Sequence, residues 1–254
     1  MAIEDRTIVR GALVLGLLGA LCGILGDYFL TYTPAVPGGV PYEWESVQQL
    51  VLAIPHHRLS AGHFLGVFGM QLSVWGLWAV IQGARPAGRV WTLPALFVTV
   101  FIYFVGCAYH GQLALFGSSL QMAERLGALG DPAAALLIEE HHRLMWKQLV
   151  TVEVGIGLLS LWLPVVVLLR PTHYPKWFAV MSPLPLMGVF VGIVKLAAPE
   201  PIRMFVEMTV FNLVAFLLIG VAAPFLWNRT SLEQARDVAP APAGARTAPA
   251  SSPS

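Results

Sequence analysis

Apolar residues in this chain run in long blocks rather than in alternation. Six blocks are long enough to cross a bilayer, covering roughly residues 8–31, 59–83, 91–115, 144–169, 176–198 and 202–227. Each supplies about 20 residues or more, which at ~1.5 Å per residue matches a ~30 Å hydrocarbon core. Backbone facing lipid must hydrogen-bond within its own segment, so the blocks are predicted as helices. The expected fold is all-α, a polytopic transmembrane helical bundle of six spans within residues 1–228.

The connections carry pattern of their own. Val47, Leu50, Val51 and Ile54 recur at helical spacing and predict an amphipathic helix over 43–54, on the membrane surface or capping the bundle. Pro55 then opens the second span, with His56 and His57 in its first turn. Residues 118–130 form a second, weaker amphipathic stretch. Asp131-Pro132 reads as a helix start, with Asp as N-cap and Pro at the first helical position. A helix running from there to Leu169 exceeds the bilayer, so its first turns must project or bend. Pro164 is expected to kink the fourth span, and Pro183 with Pro185 the fifth. Residues 229–254 are Ala/Pro/Ser-rich, without apolar periodicity, and are expected to form a disordered cytoplasmic tail.

Small residues recur at helical spacing on two spans. Gly16, Gly19, Gly23 and Gly26 line the first, and Gly62, Gly66, Gly69, Ser73 and Gly76 the second. Such stripes let helix backbones approach closely in lipid. They are expected to pack on each other, or to serve a homo-oligomer instead.

Composition and charge narrow the class. The chain has 254 residues, 57% hydrophobic and only 11% charged, against about 25% charged in an ordinary soluble domain. A net charge of +1 without a basic cluster gives no case for nucleic acid. Cys22 and Cys107 both lie in apolar runs, so there is no disulfide framework. Leu21 precedes Cys22, where a lipid-attachment site needs a small residue, and the first block is read as an uncleaved span. Six spans would gather Arg6, Arg10, Arg85, Arg89, Arg170, Lys176, Arg229, Arg236 and Arg246 on one side. Arg58, Arg125, Arg143, Lys147, Lys195 and Arg203 would fall on the other. The positive-inside rule then predicts both termini cytoplasmic, in a cell inner membrane.

The candidate chemistry comes from polar residues inside the blocks. Asp27, His63, His110, Glu153, Lys195 and Glu207 each fall on a different span, most near its outer end, with Asn212 deeper. An ionisable side chain in hydrocarbon costs roughly 2.5–3.5 kcal/mol on insertion scales, so a functional role is its first reading. Some have simple explanations. Arg203 can pair with Glu207 and Arg143 with Glu139, each at i, i+4, and Lys195 can snorkel. Asp27, His63, His110 and Glu153 have no such partner on their own helix. Glu139, His142, Trp146, Leu149 and Glu153 step 3, 4, 3, 4 and are expected to share a face.

Four chemistries compete. Asp27, His63 and His110 have donor types that suit Zn or Fe, and Glu139 with His142 forms a weaker metal candidate. A buried carboxylate paired with histidine can instead move protons at neutral pH without metal. Haem b held by His63 and His110 is a third reading, and a transporter or proton relay a fourth, though no inverted repeat supports it. The expectation is a membrane-embedded enzyme acting on a lipophilic substrate such as a lipid, isoprenoid or sterol. Its catalytic candidates are Asp27, His63, His110, Glu153, Glu207 and Asn212. The rival is a non-enzymatic transporter, haem or metal binder, or assembly factor.

Three segments carry a family resemblance: GDYFLTYTP at 26–34, HHRLSAGHFLG at 56–66 and YHGQLALFG at 109–117. Together they resemble an uncharacterised family of bacterial polytopic membrane proteins with a Gly-Asp-apolar-Tyr-Pro signature ending the first span. The resemblance implies a bacterial inner-membrane protein and carries no activity. Membrane hydrolases that hold zinc with three histidines need an H-x-x-x-H in the last span, and that span has no histidine here.

Overall fold

The computed structural model describes residues 5–33 and 44–227. The tail at 229–254 and the start of the 43–54 stretch lie outside them. The described residues form seven α-helices: α1 (Asp5–Thr31), α2 (Trp44–Ala53), α3 (His56–Gln82), α4 (Arg89–Arg125), α5 (Pro132–Leu169), α6 (Pro183–Ala197) and α7 (Glu200–Leu226). Short 3-10 turns sit at Arg85–Ala87 and Lys176–Met181. By length and composition five helices can cross a membrane: α1, α3, α4, α5 and α7. Their outward faces are apolar, with Leu18, Phe64, Phe97, Phe104 and Leu161 exposed, as a lipid-facing surface requires.

Helix contacts close a ring in the order α1, α3, α4, α5, α6, α7 and back to α1, with α3 also touching α7. The most extensive contact is α1 on α3, and the glycine stripes explain it. The two helices run antiparallel, with Gly26 against Gly62 and Gly66, and Gly23 against Gly69. A Cβ on Gly69 would stand 2.6 Å from the Gly19 carbonyl oxygen and the Gly23 nitrogen, so only hydrogen permits this approach.

The amphipathic stretch before α3 caps the bundle. Leu50, Val51 and Ile54 are buried with Leu30, Leu59, Phe116 and Leu120. Gln121 on α4 donates to the carbonyls of Val51 and Ile54 at 2.8 and 2.6 Å, satisfying acceptors that the end of α2 leaves free. The weak amphipathic stretch expected at 118–130 is largely the last part of α4, which runs unbroken to Arg125. Asp131 caps α5 as expected, accepting from the Ala133 amide at 2.7 Å. Pro164 lies within α5 without ending it.

The fifth expected span departs most from its prediction. Pro183 and Pro185 do not kink a long helix; they begin a short one. After α5 ends, the chain turns, and Tyr174 buries its ring on Phe178 at a centroid distance of 4.0 Å. The Tyr174 hydroxyl donates to the Val80 carbonyl at 2.6 Å. The 3-10 turn then leads back between the helices, and α6 starts beside Ser160, ~14 Å short of the end of α5. A helix start at the depth of the hydrocarbon core must satisfy its orphan N–H groups. Here Pro183 and Pro185 have none, Leu184 donates to the Ser160 hydroxyl at 2.9 Å, and Leu186 donates to the Ser182 carbonyl at 3.2 Å. The Ser182 hydroxyl in turn donates to the Ser160 carbonyl at 2.7 Å. With 15 residues, α6 reaches only ~22 Å, less than a bilayer core.

Candidate functional site

Asp27 lies one turn before the end of α1 and is only 7% exposed. Its Oδ2 accepts from Thr209 Oγ1 at 2.8 Å and from Asn212 Nδ2 at 2.7 Å, both on α7. Its Oδ1 faces His110 Nε2 of α4 across 3.6 Å, with the histidine 4% exposed. Three helices far apart in sequence thus converge on one carboxylate. Two hydrogen bonds from α7 fix the Asp27 carboxyl group against that helix.

The glycine stripes also make room for this cluster. A Cβ on Gly23 would stand 2.6 Å from Asn212 Cγ, and one on Gly66 would stand 2.5 Å from His110 Nδ1. Gly23 therefore admits the amide, and Gly66 lets the imidazole lie on the backbone of α3. Helix packing and the placement of polar side chains use the same small residues.

The cluster ends a cavity of about 140 Å³ lined by the helix ring and partly open. Asp27, Thr31, His110 and Asn212 give one end its polarity. From there the cavity runs past Tyr103, Met187 and Ala215 to Val80 and Leu218. The lining of α4 extends from His110 back to Thr99, a length of ~16 Å. Every other lining side chain is uncharged, apolar, hydroxyl-bearing or thioether, and no Lys, Arg or Glu borders it. An apolar pocket with a few convergent polar groups is the usual form of a small-molecule site.

Of the residues singled out from sequence, Asp27, His110 and Asn212 come together. Asn212 touches Asp27 directly rather than standing behind it. His63 does not line the cavity; it lies beside α4 at Gly111, the residue after His110, with Nδ1 buried and without a hydrogen bond. Glu207 is 4% exposed and sits 3.8 Å from Lys195 Nζ, away from the cavity lining. Glu153 is exposed on α5, while Leu149, Val152 and Ile156 face the cavity. The Glu139–Glu153 stripe keeps to one side of α5, but that side is turned off the cavity: Glu139, Trp146 and Glu153 are exposed, and of the stripe only Leu149, at its edge, lines the cavity.

Glu139 is exposed on the outer part of α5. Arg143 pairs there with Glu140 at 2.6 Å rather than with Glu139. Among the described residues no three of His, Cys, Asp and Glu stand close enough to hold a metal ion, Asp27, His63 and His110 included. Thr209 and Thr31 are the polar groups that sequence reasoning passed over. Threonine in a helix commonly bonds its own backbone, as Thr31 does to the Asp27 carbonyl at 2.7 Å, so nothing in the sequence sets Thr209 apart.

Residues 2–230 match the model of a family of unknown function, DUF6796. No curated protein and no solved structure matches the chain.

Proposed function

The chain belongs to DUF6796, a family of unknown function, and we propose from the site itself that it is a membrane-embedded enzyme. Its apolar helices already mark it as an integral membrane protein. The reaction is acid–base chemistry on a lipophilic molecule held in the ring of helices, and Asp27 with His110 are the pair that moves the proton. One observation carries this reading: an elongated apolar cavity ends on a buried carboxylate whose free oxygen faces an imidazole nitrogen. The roles divide by contact. Thr209 and Asn212 hold Oδ2 and fix the carboxylate, leaving Oδ1 and His110 Nε2 toward the cavity. His63, Glu153 and Glu207 fall outside this core, and no step is assigned to them.

Six crossings, both termini cytoplasmic and an inner-membrane location belong to the same proposal. Arg10 Nε donates to the Trp227 carbonyl at 2.7 Å, so the start of α1 and the end of α7 lie at one end of the bundle. An even number of crossings follows if the Lys176–Met181 turn and α6 together serve as one crossing. The cavity's polar end then opens toward the outer leaflet.

Asp27→Asn and His110→Gln test the chemistry. Proteoliposomes carrying the parent protein and a lipid extract of its host are followed by mass spectrometry for a species consumed and one formed. Each variant should lower that conversion by roughly 10²–10⁴, the usual contribution of a positioned acid or base. Undiminished conversion by both variants would sink the proposal.

A carrier is the second reading, favoured by α6 starting part-way along the bundle, level with Ser160, as discontinuous transporter helices start at membrane depth. The two differ in outcome: a carrier moves a lipophile between leaflets and forms no new species, isomers included.

A further inference from the structure

The shape and charge of the cavity go beyond a generic lipophile. We infer that the site takes a single-chain alcohol of medium length, with its hydroxyl between Asp27 and His110 and its tail directed toward Val80 and Leu218. This rests on the reading of the cavity as the substrate site.

The head group follows from the gap between the two polar side chains. Asp27 Oδ1 and His110 Nε2 are 3.6 Å apart, too far for a good hydrogen bond to each other. Both residues border the cavity. An oxygen seated beside the pair can lie at ordinary hydrogen-bond distance, about 2.8 Å, from each of them. A hydroxyl is both donor and acceptor, so it can donate to the carboxylate oxygen and accept from the imidazole N–H. Oδ2 already accepts from Thr209 and Asn212, which leaves Oδ1 as the oxygen turned to a ligand.

Charge excludes the alternatives. No Lys or Arg borders the cavity, and its one acidic residue is Asp27 at the polar end. A phosphate or carboxylate head would be an anion taken out of water with no cation in the lining to offset it, which burial makes costly. An ammonium head can only donate, so it meets the carboxylate well and the imidazole N–H badly.

Volume sets the tail. An engineered protein cavity of ~150 Å³ accepts a benzene-sized ligand. At about 140 Å³, drawn out along helices rather than rounded, this cavity admits one unbranched chain of about six to eight carbons. A sterol ring system or a two-chain lipid is too large to sit wholly within it. A tail longer than about eight carbons has to leave the cavity for the bilayer.

The test uses octyl probes on the full-length protein in nanodiscs. Binding of 1-octanol, octylamine, octanoate and octyl phosphate is read by ligand-observed saturation-transfer NMR, with empty nanodiscs as the blank. The expected result is 1-octanol bound most tightly, and weakened about tenfold or more by Asp27→Asn or His110→Gln, in line with leaving a buried hydrogen-bonding group unpaired. Ala215→Leu, which narrows the apolar end and leaves both polar residues in place, should remove octanol binding as well. Should a polar-end variant fail to fold, the Ala215→Leu comparison still decides. If octanoate, octyl phosphate or octylamine binds best and Ala215→Leu blocks it, the cavity is an amphiphile site and the alcohol assignment is overturned. If no octyl probe binds the parent protein above the blank, the cavity reading fails with it.

Discussion

At the residue scale the site depends on what is missing from two positions. His110 lies where a side chain on Gly66 would otherwise be, with a Cβ there only 2.5 Å from Nδ1. Gly66→Ala should therefore move the imidazole away from Asp27 while leaving most of the α1–α3 contact intact. The expected outcome is a conversion rate nearer that of His110→Gln than of the parent, with only a small fall in melting temperature. Parallel losses of stability and activity would mean that Gly66 serves packing alone. Asp27 and His110 were legible because hydrocarbon makes a lone ionisable residue conspicuous. Glu153 was equally conspicuous yet stands exposed on α5. Depth can be counted from a sequence, but the rotation of a long helix is fixed by what it packs against.

At the element scale most of the bundle could be read directly. The stripes on α1 and α3 predicted their contact, Asp131-Pro132 the start of α5, and Val47 to Ile54 the capping helix. The region after α5 could not be read so simply, because an apolar run with two prolines fits either a kinked span or a new start. The structure chooses the start, since Pro183 and Pro185 remove two N–H groups that hydrocarbon could not satisfy. One donor remains for a side chain, the Leu184 amide, and Ser160 accepts it. Ser160→Ala should leave that N–H unpaired among apolar groups, at a cost of about 1–3 kcal/mol. Thermal unfolding in detergent should show the loss, and Ser160→Thr, which restores a hydroxyl, should recover part of it. Equal melting of Ser160→Ala and the parent would show that α6 does not depend on this bond.

At the scale of the whole molecule, helix length places the membrane. The 37 residues of α4 and 38 of α5 reach ~55 Å, against a hydrocarbon core of ~30 Å. The excess cannot sit at the end with the tight Gly83–Gly88 connection, where Arg85, Arg89, Arg170 and Lys176 mark a boundary. There Lys176 donates to the Val167 and Leu168 carbonyls at 2.7 Å, and Arg170 lies 5.0 Å over the Trp91 ring. The far ends of α4 and α5 must project as a hairpin instead, carrying Gln112 bonded to His141, the Glu140–Arg143 pair and the α2 cap. A hairpin in water on one side and a short basic loop on the other give a direct test of orientation. Single cysteines at Leu129 and Ala87, in a background with Cys22 and Cys107 replaced by alanine, are exposed to a membrane-impermeant maleimide. The Leu129→Cys protein should label in intact cells, and the Ala87→Cys protein only after permeabilisation. The reverse pattern would turn the bundle over and give the Asp27–His110 end of the cavity to the cytoplasmic leaflet. Labelling of both from one side would remove the crossing between them, and with it the ring that lines the site.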